Sequence, residues 1–130
     1  MEKHFVTYNQ ALALKELGFD EPCFGWYEHN GNFYYCYQEG LVPPSPSKKL
    51  IKGCCLAPLK SQVFEWGRKN HSIHGIVSYY GKSQWNIEIL DYKGNELIQI
   101  EDNTFWSYEE AESTCIDKLI EIIKDGSKIN

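Results

Sequence analysis

The sequence lacks any long hydrophobic run, since its longest uninterrupted apolar stretches are only a few residues. A membrane-spanning helix needs about 20 apolar residues, so the sequence predicts none. The first residues, 1–4, contain neither an apolar segment nor a small-residue cleavage site, and we expect no signal peptide. These absences favour a cytoplasmic protein without membrane contact.

The cysteines lack the spacing of a metal site or a disulfide framework. None of them belongs to a short Cys-x₂₋₄-Cys pair, from which structural zinc sites are usually built. Cys54 and Cys55 are adjacent, and consecutive side chains of an extended chain point apart. An odd number of cysteines without framework spacing indicates reduced thiols in a cytoplasm. We expect no metal and no other cofactor, and mostly buried cysteines.

The sequence also lacks local catalytic motifs. It contains no nucleophile elbow, no glycine-rich phosphate loop and no paired-histidine metalloprotease helix. His71 and His74 follow a predicted helix, where helix-end charge explains them better than metal binding does. A small cysteine-dependent enzyme stays an alternative, because a Cys–His pair can be distant in sequence. It would need Cys54 or Cys55 beside one of these histidines. The sequence favours a protein without enzymatic activity.

The composition is that of a folded globule, with 130 residues, 42% hydrophobic and 15% aromatic. This length fits one domain, which we place at residues 1–126, followed by a frayed tail at 127–130. The net charge of −5 argues against a surface that binds nucleic acid throughout. The charge is uneven, however. Residues 48–82 contain seven basic residues and a single acid, Glu65, so this region would attract an anionic partner.

Two predicted helix starts share one pattern. Thr7 is followed three residues later by Gln10, and Ser107 by Glu110, so each pair can form a capping box. Each cap also follows an apolar residue that can pack on an alanine inside the helix. These staple pairs are Val6 with Ala11 and Trp106 with Ala111. The two caps therefore mark a first and a last helix.

Periodicity and turn residues predict the remaining elements. Helices are predicted at Thr7–Leu17, Pro58–Lys69 and Tyr108–Asp125, the last ending at Gly126. Strands are predicted at Cys23–Glu28, Phe33–Gln38, Gly75–Tyr80, Trp85–Asp91 and Glu96–Glu101. The order α-β-β-α-β-β-β-α indicates an α+β fold, in which an antiparallel sheet of about five strands packs with three helices.

The first two strands form a predicted hairpin with aromatic residues on both faces. Asn30–Gly31 is the preferred pair for a two-residue type I′ turn. With that loop, Trp26 lies opposite Tyr35 and Tyr27 lies opposite Tyr34. One face must pack on the core, and the other needs a helix, a partner or a ligand to cover it. The sequence leaves open which face is covered.

This hairpin favours a non-enzymatic binding or accessory protein, most simply a protein-interaction module that could also self-associate. The alternative is single-stranded nucleic-acid binding, in which cations follow the backbone and aromatic rings stack on bases. Residues 30–35 do not match the aromatic RNA-binding strand signature, however. A third interpretation is that the tyrosines half-fill a core and the lysines solubilise a loop. The candidate partner-binding residues are Trp26, Tyr27, Tyr34, Tyr35, Lys48, Lys49, Lys52, Arg68 and Lys69.

Three segments, Thr7–Cys23, Cys55–Pro58 and Ser107–Glu112, resemble small uncharacterised proteins of phages, prophages and mobile elements of gut bacteria. The resemblance spans most of the chain, with residues 41–52 looking like an insertion. It implies a bacterial cytoplasm and a phage or prophage gene of unknown role. It brings no catalytic residues to this chain.

Overall fold

The computed structural model describes the backbone of residues 2–35 and 54–129, with side chains as far as residue 126. The described residues contain three α-helices and five antiparallel strands, which confirms the α+β class and the strand number. The strands form two sheets, of three and two strands, where the sequence predicts a single sheet. By contacts the chain divides into two compact units, Met1–Lys60 and Ser61–Asn130. A single domain over residues 1–126 stays a prediction. No helix in the described ranges is long and apolar enough to cross a membrane.

The N-terminal unit contains one helix and one sheet. After a 3₁₀ turn at Glu2–His4 come helix α1 (Tyr8–Glu16) and strands β1 (Gly25–Tyr27), β2 (Phe33–Tyr35) and β3 (Cys55–Ala57). The strands form an antiparallel sheet in the order β2-β1-β3. The sequence assigned β3 to no element, because three residues are too few for a strand period to be recognised.

Helix α1 begins and ends as its sequence predicts. The Gln10 N–H donates to Thr7 Oγ1 (3.2 Å) while the Thr7 N–H donates to Gln10 Oε1 (2.9 Å), so the capping box is complete. At the other end Gly18 adopts φ +90°, a backbone conformation that glycine takes without strain. The Phe19 N–H then donates to the Leu14 carbonyl (3.0 Å), the hydrogen bond of a Schellman ending.

The loop between β1 and β2 is one residue longer than predicted. The Glu28 N–H donates to the Asn32 carbonyl (3.0 Å), and the Gly31 N–H donates to the Glu28 carbonyl (2.8 Å). Gly31 adopts φ +86°, as in a type I turn followed by a left-handed residue. The prediction of a two-residue type I′ turn is therefore wrong.

The longer loop shifts the register of the hairpin. Trp26 pairs with Tyr34 and Tyr27 pairs with Phe33, whereas the predicted partners were Tyr35 and Tyr34. A shift of one residue moves every side chain of a strand to the other face. The structure therefore corrects which aromatic residues share a face.

The C-terminal unit is built around a second hairpin. Helix α2 (Lys60–His71) begins on the last residue of the N-terminal unit and is followed by β4 (His74–Gly81), β5 (Gln84–Leu90) and α3 (Tyr108–Ile129). Lys82 and Ser83 adopt φ +55° and +61°, as a two-residue type I′ turn requires. Helix α3 contacts both strands of this hairpin, and its buried residues are Ala111, Cys115, Ile116, Leu119, Ile120 and Ile123. The sequence predicts an apolar stripe of these six residues and Ile122, which is only half-buried.

Two predictions for this unit are wrong. The segment 96–101, though described, contains no regular strand and makes only an isolated bridge between Leu90 and Glu96. Helix α3 also continues through Gly126 to Ile129, because Gly126 does not adopt a positive φ. The predicted stop at Gly126 is therefore corrected, whereas the frayed tail at 127–130 stays a prediction.

A side chain takes the place of the missing strand beside β5. The Ile87 N–H donates to Asn103 Oδ1 and the Asn103 amide nitrogen donates to the Ile87 carbonyl, both at 2.8 Å. Phe105 exchanges two backbone hydrogen bonds of 2.8 Å with Trp85. The Asn103 amide thus acts as a peptide group would in a further strand.

Candidate functional site

The N-terminal sheet has two faces of different character. Trp26 lies opposite Tyr34 on one neighbouring strand and opposite Leu56 on the other, so these three side chains share a face, which we name the outer face. Tyr27 lies opposite Phe33 and Cys55, and these share the inner face.

The inner face is part of the core of its unit. Tyr27 is 3% exposed, and its hydroxyl donates a 2.6 Å hydrogen bond to the Val6 carbonyl. Its ring contacts Tyr8 and Phe33, with centroids 5.5 and 5.2 Å away. Burial, together with the charge of Glu2, raises the pKa of Tyr27 to about 12. Tyr27 is therefore a core residue of its unit.

The outer face presents a partly exposed aromatic pair. The rings of Trp26 and Tyr34 are stacked, with centroids 5.7 Å apart and planes inclined by 19°. Tyr34 is 39% exposed, and Phe24, which precedes β1, is 38% exposed. Stacked aromatic pairs of this kind are stabilising beyond the area that they bury. The pair is therefore an aromatic platform that is partly exposed to solvent.

The structure separates the four aromatic candidates. Trp26 and Tyr34 come together on the outer face, whereas Tyr27 and Tyr35 belong to the inner face. Tyr35 is at the edge of the sheet, where it is 41% exposed and contacts Phe33, with ring centroids 6.0 Å apart. The predicted lysines at positions 48, 49 and 52 lie outside the described residues.

The two basic candidates of α2 belong to the C-terminal unit. Lys69 Nζ lies 2.6 Å from Glu65 Oε1 on the exposed side of the helix, and the lysine lowers the pKa of that carboxyl. Arg68 lines a groove of about 260 Å³ whose rim includes Tyr108 and Glu112. The Tyr108 hydroxyl donates to Glu112 Oε2 (3.1 Å). Arg68 and Glu112 both line this groove, so the groove favours neither an anionic nor a cationic ligand.

Three of the described cysteines are in environments that suppress their reactivity. Burial raises the pKa of Cys23 and of Cys115 to about 12, and that of Cys55 to about 11. Cys54 is 4% exposed. A thiol with such a raised pKa supplies almost no nucleophilic thiolate at neutral pH. Within residues 2–35 and 54–129, no three His, Cys, Asp or Glu side chains are grouped to hold a metal ion.

A second groove, in the N-terminal unit, carries no recognisable signal in the sequence. Its volume is about 440 Å³, and Phe5, Tyr8 and Tyr27 are among its lining residues. Lys60 also lines it, although this residue is only 7% exposed. Lysine is rarely buried to this extent unless it is paired. Nothing in the residue pattern around position 60 distinguishes this lysine from a solvent-exposed one, so only the structure reveals the groove.

Comparisons with protein-family models, with curated proteins and with solved structures gave no match. No residue of this chain therefore inherits a role from a relative. The outer face and the Lys60 groove are defined by their own geometry.

Proposed function

We propose that this chain is a non-enzymatic protein-interaction module that binds its partner through the outer face. The observation that carries the proposal is the stacked Trp26–Tyr34 pair, of which Tyr34 remains 39% exposed. Tryptophan and tyrosine are enriched among the residues that contribute most to protein–protein binding, because they add contact area with few rotatable bonds. A partner that presents an apolar side chain would complete the burial of this pair.

We further propose a cytoplasmic protein of phage or prophage origin in gut bacteria. The support for the origin is the sequence resemblance of Thr7–Cys23, Cys55–Pro58 and Ser107–Glu112. The support for the compartment is that the four described cysteines are free thiols, as expected in a reducing environment.

Single-stranded nucleic acid is the competing partner, because bases also stack on tryptophan and tyrosine rings. The charge of residues 1–60 does not select a polyanion. This part of the sequence contains six acidic residues and six lysines, so it has no net positive charge. Salt dependence separates the two partners, since binding to phosphates weakens steeply as salt rises.

The test combines Trp26→Ala with Tyr34→Ala and compares this double variant with Trp106→Ala. Trp106 is 64% exposed in the other unit, so its loss controls for the removal of an exposed aromatic ring. Each protein is immobilised and exposed to a gut-bacterial lysate, and the retained protein is purified for calorimetry. We expect the wild type and Trp106→Ala to bind it with equal affinity at low and high salt, and the double variant to lose binding.

The alternatives give different results in the same experiments. Equal affinity for the double variant contradicts the proposal, provided that circular dichroism shows a native fold. Affinity that falls steeply with salt, and disappears after nuclease treatment, identifies a nucleic acid instead. A wild-type chain that dimerises while the double variant stays monomeric identifies a second copy as the occupant of the outer face.

A further inference from the structure

We propose that two copies of this chain associate through strand β4, by antiparallel pairing of one β4 with the β4 of a second copy. The pairing uses the side of the strand that faces away from β5, which we name the β4 edge. Its support comes from the direction of the backbone groups, from the side chains of the strand and from the symmetry of the pairing. The proposal does not depend on the protein-interaction function of the outer face.

The pairing of the hairpin determines which backbone groups of β4 point away from β5. Three residues of β5 form hydrogen bonds through their backbone on the side away from β4: Trp85, Ile87 and Ile89. The residues opposite them in the ladder are Tyr79, Val77 and Gly75. In an antiparallel pair, opposite residues either bond to each other or both direct their backbone groups outwards, in alternation. The N–H and carbonyl groups of these three β4 residues therefore form the β4 edge.

The β4 edge is an open row of backbone groups. Among the described residues of the C-terminal unit, none forms a hydrogen bond with the backbone N–H or carbonyl of Gly75, Val77 or Tyr79. The row is bounded at both ends. The Ile73 N–H donates to the Gly67 carbonyl (3.1 Å), and the ladder with β5 shifts its register after Tyr79. An unpaired row of this kind can accept a further strand.

The side chains of β4 do not oppose a second strand. Proteins usually protect a sheet edge with charged residues or proline, and residues 74–81 contain no lysine, arginine, aspartate, glutamate or proline. Tyr79 is 56% exposed and Tyr80 is 49% exposed. A second strand would therefore meet no charge on β4 and would bury part of two exposed rings.

The spacing of the row selects a second copy as the occupant. An antiparallel pair with its two-fold axis at Val77 places Val77 opposite Val77, and Gly75 opposite Tyr79 of the other copy. Each open residue then exchanges both of its hydrogen bonds with an open residue of the other copy, so the whole row is paired. Two-fold symmetric contacts of one surface with itself are the commonest arrangement in homodimers. The β4 edge is thus complementary to itself.

The test measures the oligomeric state by sedimentation velocity from micromolar to millimolar protein. We expect the wild type to form a dimer. Val77→Pro removes an N–H that points to the second copy, and proline is tolerated where a strand N–H faces outwards. This variant should raise the dissociation constant at least about tenfold, because it removes hydrogen bonds from both copies. Val77→Ala is the matched control, since it shortens the side chain and keeps the N–H, and it should still dimerise.

Hydrogen exchange tests the register of the pairing. The amides of Gly75, Val77 and Tyr79 should exchange at least about tenfold more slowly in the dimer than in the monomer, because pairing protects them. The amides of Ile76 and Ser78 point to β5 and should be protected at every protein concentration.

Several results would overturn the proposal. A chain that stays monomeric throughout would do so, as would a dimer of unchanged affinity in a folded Val77→Pro protein. If Val77→Pro does not fold, Tyr79→Pro and its control Tyr79→Ala make the same comparison at the other end of the row. Dimerisation without slower exchange of the three amides contradicts the register. The Trp26→Ala, Tyr34→Ala protein should dimerise like the wild type, and a loss of the dimer there would place the contact on the outer face instead.

Discussion

The two faces of the N-terminal sheet carry the same kinds of aromatic side chain in different states. On the inner face, Tyr27 is 3% exposed and its hydroxyl is held by Val6. On the outer face, Tyr34 stacks on Trp26 and remains 39% exposed. Aromatic content alone therefore does not mark a binding surface. Burial and the partner of the polar tip distinguish a core tyrosine from one that is available to a partner.

The largest effect should come from Tyr27→Ala, which removes the centre of the inner face. Deleting a large buried ring costs roughly 3–5 kcal/mol, because transfer energy is lost and a cavity remains. Chemical denaturation followed by circular dichroism measures the loss of unfolding free energy. Trp26→Ala on the outer face is the matched comparison and should cost clearly less. Equal losses would mean that both faces serve the core.

Tyr27→Phe should sharpen the comparison through its pH dependence. The folded pKa of Tyr27 is about 12, against 10.0 for an unperturbed tyrosine. Below pH 10 Tyr27 is protonated in both the folded and the unfolded chain, and its contribution to the free energy of unfolding is fully present. As the pH rises from 10 towards 12, the tyrosine ionises in the unfolded chain first, so this contribution is lost. Across this pH range the free energy of unfolding of the wild type should fall by up to about 3 kcal/mol more than that of Tyr27→Phe, because the folded and unfolded pKa values of Tyr27 differ by about two.

Stability curves of both proteins between pH 9 and 12 check this expectation. The buried cysteines also ionise in this range in both proteins, so the difference between the two curves reports on Tyr27 together with its interaction with Cys55. Parallel curves for the two proteins would contradict the raised pKa.

Gly31→Ala tests the loop that assigns residues to the two faces. Gly31 adopts φ +86°, where an alanine is strained, and an added Cβ would only touch Tyr8 at 3.7 Å. We expect a loss of about 1 kcal/mol in unfolding free energy. Gly126→Ala is the control, because that glycine is helical and the space around it is open. There alanine should stabilise by about 0.5–1 kcal/mol. If both substitutions raised the free energy of unfolding, or both lowered it, the result would contradict the loop conformation.

The smallest effect concerns the outer pair itself. A double-mutant cycle on Trp26→Ala and Tyr34→Ala should give a coupling of about 0.5–1.5 kcal/mol, the usual value for an aromatic pair. Thermal or chemical unfolding of the four proteins measures it. A coupling near zero would mean that the two rings do not interact in solution, which would contradict the stacked pair of the outer face.

The sequence predicted the features that depend on local chemistry. The capping box of Thr7 and Gln10, the glycine ending at Gly18 and the apolar stripe of α3 each follow from residues a few positions apart. The predicted start of α3 is confirmed only in part. The Glu110 N–H donates to Ser107 Oγ (3.1 Å), but Trp106, predicted to pack on Ala111, is 64% exposed.

The features that the sequence did not predict depend on packing or on one residue of loop length. Asn30–Gly31 fits both a two-residue and a three-residue loop, and the choice reverses the faces of β2. The burial of Lys60 follows from tertiary structure alone. Of the candidate site, the aromatic character of the hairpin was predictable, whereas the pairing of Trp26 with Tyr34 was not.

The side-chain amide of Asn103 has a consequence for self-association. Open strand edges are templates on which other chains add strands and aggregate. At the β5 edge, the backbone of Phe105 forms hydrogen bonds with the N–H and the carbonyl of Trp85. The side chain of Asn103 does the same with Ile87. The Leu97 N–H donates to the carbonyl of Ile89. The chain thus protects this edge with an irregular segment, and these three positions offer no free row of backbone groups to a second molecule.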